Sequence, residues 1–153
     1  MSYDSTPDTQ EHIFKVASNL DAIIFNLSHR SLVHDRSKFG PVEKEAFDRL
    51  TPRLKNLTYG SEEYRASLRE MKPALAHHYE HNSHHPEHYP GGVLDMSLLD
   101  ILEMLADWKA AGERHDPPNP LDKSIAYNAE RFKLSPEMTK ILSTTARELG
   151  WIV

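Results

Sequence analysis

Leu32-Val33-His34-Asp35-Arg36-Ser37-Lys38-Phe39 is the stretch around which the chain is organised. An adjacent His-Asp pair sets two metal-ligand types, a neutral imidazole and a carboxylate, side by side on the backbone. Mixed nitrogen and oxygen ligation of this kind suits a divalent transition metal used for chemistry. Lys38 comes four residues after His34. On a helical turn it lies over that histidine and can reach an anion held by the metal.

Upstream, His12, Val16, Leu20, Ile23 and Leu27 recur at helical spacing, with Phe14, Ile24 and Phe25 widening the stripe. This predicts a helix from about Thr9 whose apolar face, headed by His12, points inward; residues 1–8 read as a flexible lead-in. Taken alone, His12 reads as a core-edge histidine with a hydrogen-bond partner. His29 falls in the last turn of this helix and is given no functional role.

Downstream, Pro41 fits the first turn of a second helix reaching about Leu50, with Val42, Ala46, Phe47 and Leu50 as its buried side. Thr51-Pro52 restarts a short helix or turn through Leu54 and Leu57. Ser61-Glu62-Glu63 opens a third main helix whose face runs through Tyr64, Leu68, Met71 and Leu75 to His78, kinked by Pro73. Six of the ten histidines (His77, His78, His81, His84, His85, His88) fall at the end of this helix and in the turn-rich loop after it.

A fourth helix spans about Met96 to Gly112, with Ser97 and Asp100 placed as a capping box. It is apolar on most sides. Asp100, Glu103 and Asp107 share one narrow stripe, which is either the solvated edge of the helix or a cation site. The Pro-rich loop 116–120 precedes helices over about 122–133 and 135–149. Trp151-Ile152-Val153 can dock on the core or against a second copy. No segment alternates, so the predicted fold is all-α: a compact single-domain bundle of six to seven helices over residues 9–153.

Composition narrows the function. The chain has 153 residues, a net charge of −5 and no cysteine. Disulfides and thiolate metal sites are excluded. No run of Lys and Arg suggests duplex nucleic acid as a partner. No apolar run is long enough to span a bilayer, and the polar, acidic N-terminus lacks the pattern of a secretory signal, so a cytoplasmic protein is expected.

The order histidine, His-Asp, histidines, late aspartate, all on helices, resembles the HD-domain superfamily of metal-dependent phosphohydrolases. The segments His34–Phe39, His78–Glu87 and Glu103–Trp108 are also similar to those of a family of small uncharacterised bacterial and phage proteins. The resemblance implies an HD-like fold and a metal site of His12, His34, Asp35 and Asp107, with His78 and His85 holding a second metal or contacting phosphate. One or two divalent ions (Mn, Co, Fe, Ni, Zn or Mg) are expected per chain.

The implied reaction is attack of an activated water on a small phosphorylated substrate such as a nucleotide. Asp35 serves the metal, Lys38 holds a phosphate oxygen, and His84 protonates the leaving group. The rivals are a di-iron oxygenase of the same fold, and a non-catalytic metal-stabilised module that binds a nucleotide or a protein. His88 and His115 are assigned no role.

Overall fold

A computed structural model describes residues 3–57, 61–114 and 118–152. The fold is all-α. Among the described residues there are six α-helices, three short 3-10 turns and no strand. None of these helices is long and apolar enough to cross a membrane. Two compact units are described, Met1–His34 and Asp35–Val153.

The first unit is one helix, α1 (Thr6–Val33). It starts three residues before the expected Thr9, because Pro7 fits the first turn, where its missing N–H has no helical partner. The helix contains no internal break. None of its residues is buried, and Ile13, Val16, Leu20, Ile23 and Ile24 are all exposed. Taken by itself, this unit is a single helix and buries no face, so the expected inward face is not seen within it.

The second unit begins with a 3-10 turn, Arg36–Phe39, and α2 (Pro41–Lys55). α2 passes through Pro52 instead of ending at Leu50. Its buried side differs by one position from the expected one. Val42 is exposed and Glu43 is fully buried, in register with Leu50. α3 (Glu62–His81) packs against α2 and turns Ser67, Met71, Ala74 and His78 inward, while Leu68 is exposed. The loop after α3 contains two 3-10 turns, Pro86–His88 and Gly92–Asp95.

α4 (Leu98–Glu113) has the expected capping box: Ser97 Oγ accepts from Asp100 N (3.1 Å), and the Asp100 carboxylate accepts from Ser97 N (2.9 Å). α5 (Leu121–Arg131) packs on α4, and α6 (Pro136–Glu148) packs on α5. Ile101, Met104, Leu105, Ile125, Leu142 and Ala146 form the core of this half. Trp151 and Ile152 dock on it; Val153 lies outside the described residues.

Candidate metal centre

The second unit gathers one carboxylate and three imidazoles at one point. Asp35, His78, His84 and His85 each offer a ligand atom, and these atoms lie within 4.8 Å of one another. Asp35 Oδ1 is 3.3 Å from His78 Nε2 and 3.6 Å from His84 Nε2. His78 Nε2 is 2.9 Å from His85 Nε2. His78 and His84 are each 2% exposed. Such a set can hold a metal ion.

Each ligand is positioned by its own element. Asp35 precedes the 3-10 turn with φ +56°, a left-handed conformation that Asp tolerates better than most residues. Its carbonyl accepts from Lys38 N (2.9 Å) and its Oδ2 accepts from Lys38 Nζ (2.6 Å). That leaves Oδ1 as the oxygen facing the histidines. The Lys38 ammonium also lies 5.5 Å from the centre of the Phe47 ring. It is thus held beside the cluster by the Asp35 carboxylate.

His78 ends the buried face of α3. Asn82, one turn later, donates to the His78 carbonyl and to Ser37 Oγ, both at 2.7 Å, joining the end of α3 to the 3-10 turn that follows Asp35. His84 and His85 lie in the loop beyond. That loop is clamped by Asp100, which is 2% exposed. The Asp100 carboxylate accepts from Ser83 Oγ (2.6 Å), Tyr89 OH (2.9 Å) and Ser97 Oγ (2.6 Å), besides Ser97 N. Burial alone would raise its pKa; the hydrogen bonds from Ser83, Ser97 and Tyr89 outweigh it and hold the carboxyl well below its usual range.

A second layer of carboxylates fixes the tautomers. Glu43 Oε1 pairs with His77 Nδ1 at 2.7 Å, and Glu43 Oε2 with His78 Nδ1 at 2.9 Å. Burial opposes the charge on Glu43, but hydrogen bonds from His77, Ser37 and His78 more than offset it, and its pKa is lowered. An ionised carboxylate only accepts, so both Nδ1 atoms carry the hydrogen. In neutral His78, Nε2 then presents a lone pair toward Asp35 and His85. Glu103 Oε1, 3.2 Å from His84 Nδ1, does the same for His84. A carboxylate behind each imidazole is the usual way of orienting metal-binding histidines.

His85 is pushed down to about 3, first by burial and then by the neighbouring imidazoles of His84 and His78, against the opposing charges of Asp107 and Asp35. It is neutral at pH 7, as a ligand must be. His85 and Asp107 also line a cavity of about 390 Å³ that runs past Trp108 to Asn128 and Arg131. Its wall is drawn in at Gly112, where a Cβ would stand 2.6 Å from the Asn119 carbonyl oxygen.

The expected residues are thus redistributed. Asp35, His78 and His85 come together, and Asp107 lies on the cavity beside His85. His84, expected as a leaving-group acid, is buried among the ligands and held between Asp35 and Glu103. His34 is half-buried at the C-cap of α1, where its N–H donates to the Arg30 carbonyl (2.8 Å). His12 needs correction. It is exposed on α1, 22 residues before His34 along an unbroken helix. At 1.5 Å per residue the two are about 33 Å apart, so within one chain they cannot bind the same ion.

His88, assigned no role from the sequence, donates from Nδ1 to the Tyr79 carbonyl (2.7 Å). His115 lies outside the described residues. Sequence reasoning missed Glu43 and Asn82 as site residues and placed Glu103 only on the acidic stripe. Glu43 was legible as an acid in register with the apolar Phe47 and Leu50, and Glu103 as the middle of the acidic stripe. Asn82 carried no signal.

No curated protein and no solved structure matches the chain. A family model does match, over residues 1–148, and the chain belongs to that family of unknown function, DUF5662.

Proposed function

We propose that the cluster binds a divalent transition-metal ion and that the protein is a metal-dependent phosphohydrolase acting on a small phosphorylated compound. One observation carries this reading. Three imidazoles and a carboxylate meet at one point, with Glu43 and Glu103 directing lone pairs inward, at the edge of a cavity large enough for a small ligand. Without an ion, one of the two Nε2 atoms of His78 and His85 has to carry the hydrogen shared across their 2.9 Å contact. With an ion, both lone pairs turn to it.

Asp35, His78, His84 and His85 are the proposed ligands. A divalent ion so held supplies a Lewis acid and lowers the pKa of a bound water. Around it, the Lys38 ammonium is close enough to serve a phosphate oxygen once it leaves Asp35. Arg131 lies further along the cavity, paired with Glu87 Oε1 at 2.7 Å. The imidazole-rich set favours Mn, Fe, Co, Ni or Zn over Mg, which prefers oxygen ligands. The proposal agrees with the resemblance to HD-domain enzymes at Asp35, but not at His12.

A second reading has its own support. Four protein donors complete a tetrahedral zinc site and leave no position open, which would make the ion structural. Six-coordinate ions keep positions for water and substrate. The test is release of inorganic phosphate from a panel of phosphomonoesters and phosphoanhydrides by untagged protein, with each metal supplied in turn. Turnover that is lost in Asp35→Asn supports the hydrolase. Bound zinc, a melting temperature lowered by chelation and no turnover with any metal would establish the structural reading. Oxygen uptake with iron, without phosphate release, would replace hydrolysis by oxygenase chemistry.

A further inference from the structure

The cavity beside the metal centre has a second end that the chemistry proposed above does not use. All the described residues that line it belong to the second unit. His85 and Asp107 mark the metal end. Gly112 lies five residues beyond Asp107 on α4, about 7.5 Å along the helix axis. There the loop before α5 comes in against the bare helix. Asn119 N donates to the Gly112 carbonyl (3.0 Å), and Asn119 Nδ2 donates to Ser124 Oγ (3.0 Å). The Ser124 hydroxyl, having accepted, keeps its one hydrogen to give. Ser124 and Asn128 lie one turn apart on α5, and each is 8% exposed. Asn128 Nδ2 donates to the Ser124 carbonyl (3.0 Å). That leaves Asn128 Oδ1 without a donor among the described residues, open to the cavity that this residue lines.

A mostly buried amide oxygen without a donor is costly unless a ligand or water supplies one. The ligand that fits here brings an N–H to Asn128 Oδ1 and an acceptor to the Ser124 hydroxyl. A carboxylate or a second phosphate only accepts, so it would leave the Asn128 oxygen unanswered. Arg131, close to one turn beyond Asn128, is already paired with Glu87 (2.7 Å). The rings of Trp108 and Phe132, 5° from parallel, line the same cavity and offer flat faces to a planar group. We infer that Ser124 and Asn128 select the substrate by its uncharged part: a planar ring carrying an N–H beside an acceptor on one edge. The recognition itself needs only the cavity; its service to turnover rests on the hydrolase reading.

The experiment is titration calorimetry of the full chain with Mn supplied. The probes are uridine and adenosine monophosphates, beside ribose phosphate, which keeps the phosphate and lacks the ring. At least one ring-bearing probe should bind about tenfold or more tightly than ribose phosphate. Ser124→Ala and Asn128→Leu, each shown to be folded by circular dichroism, should reduce that advantage to about twofold or less and leave the affinity for ribose phosphate as in wild type. Ser124→Ala, the smaller change, carries the test alone if Asn128→Leu does not fold. No preference for either ring over ribose phosphate would overturn the inference, as would a preference undiminished in the folded variants. Ring preference without phosphate release under any metal would count against the hydrolase alone. Phosphate release without ring preference would count against this inference alone.

Discussion

Glu43 offers a sharp test of how the centre is organised. It is a fully buried carboxylate whose two oxygens each accept from a histidine, and it fixes which nitrogen of His78 faces the cluster. Glu43→Gln keeps the shape but replaces one acceptor with a donor. If the new NH2 faces His77, which is 29% exposed, that ring changes tautomer and finds water. If it faces His78, the hydrogen of that ring moves to Nε2 and the lone pair is lost to the metal. The first arrangement is the cheaper, so the loss should lie near the low end for such outer carboxylates, about tenfold in metal affinity, or about 1.4 kcal/mol.

Glu43→Ala removes both carboxylate acceptors and leaves buried His78 Nδ1 only the longer contact to Ser37 Oγ (3.3 Å). Its loss should approach 100-fold, or about 2.8 kcal/mol. The assay is competition between the protein and a chelator of known affinity for Mn, Co and Zn, with circular dichroism to show that the helices persist. Metal affinity within twofold of wild type in Glu43→Ala, with the protein folded, would refute the claim that Glu43 sets the His78 lone pair.

Three other outcomes follow from the same geometry. Asp100→Asn, which loses the charge that Ser83, Tyr89 and Ser97 hydrogen-bond, should destabilise the protein by roughly 2–3 kcal/mol in urea denaturation. Because the folded pKa of Asp100 is lowered, its contribution is fully present above its unfolded pKa of about 3.9 and is lost as the pH falls below that value; the wild-type advantage over Asp100→Asn should shrink accordingly. Gly112→Ala should force the Asn119 carbonyl outward at a cost of about 1–3 kcal/mol, read in the same denaturation. His12→Ala should leave metal stoichiometry and affinity unchanged, which equilibrium dialysis with the metal would show.

Much of the fold was legible because the local signals agreed with one another. Ser97 with Asp100, Ser135 before Pro136, and the apolar face through Met71 to His78 each pointed to the element that formed. α2 was harder. A proline in a helix interior reads as a stop, yet the helix runs through Pro52, and the burial of Glu43 in place of Val42 rotates its inner face by one residue.

The site was legible in kind but not in membership. A His-Asp pair and a histidine cluster pointed to one place, and there a carboxylate and three imidazoles do gather in a set that can hold an ion. The pattern of the sequence cannot tell which imidazole is a ligand and which caps or clamps, because that depends on loop geometry. His84 and His85 sit in a loop that Asp100 clamps through Ser83 and Tyr89. The assignment of His12 failed for a plain reason: ligand order along a chain says nothing about distance, and an unbroken helix carries a residue about 33 Å in 22 positions.

The central claim is that Asp35, His78, His84 and His85 bind one ion. Elemental analysis of untagged protein, purified without chelator, tests it most directly, with wild type beside His84→Ala. Near-stoichiometric transition metal in the wild type, reduced at least tenfold in a folded His84→Ala, is the predicted result. Metal retained in full by His84→Ala, or no metal bound by the wild type even after exposure to Mn, Fe, Co, Ni and Zn, would contradict it.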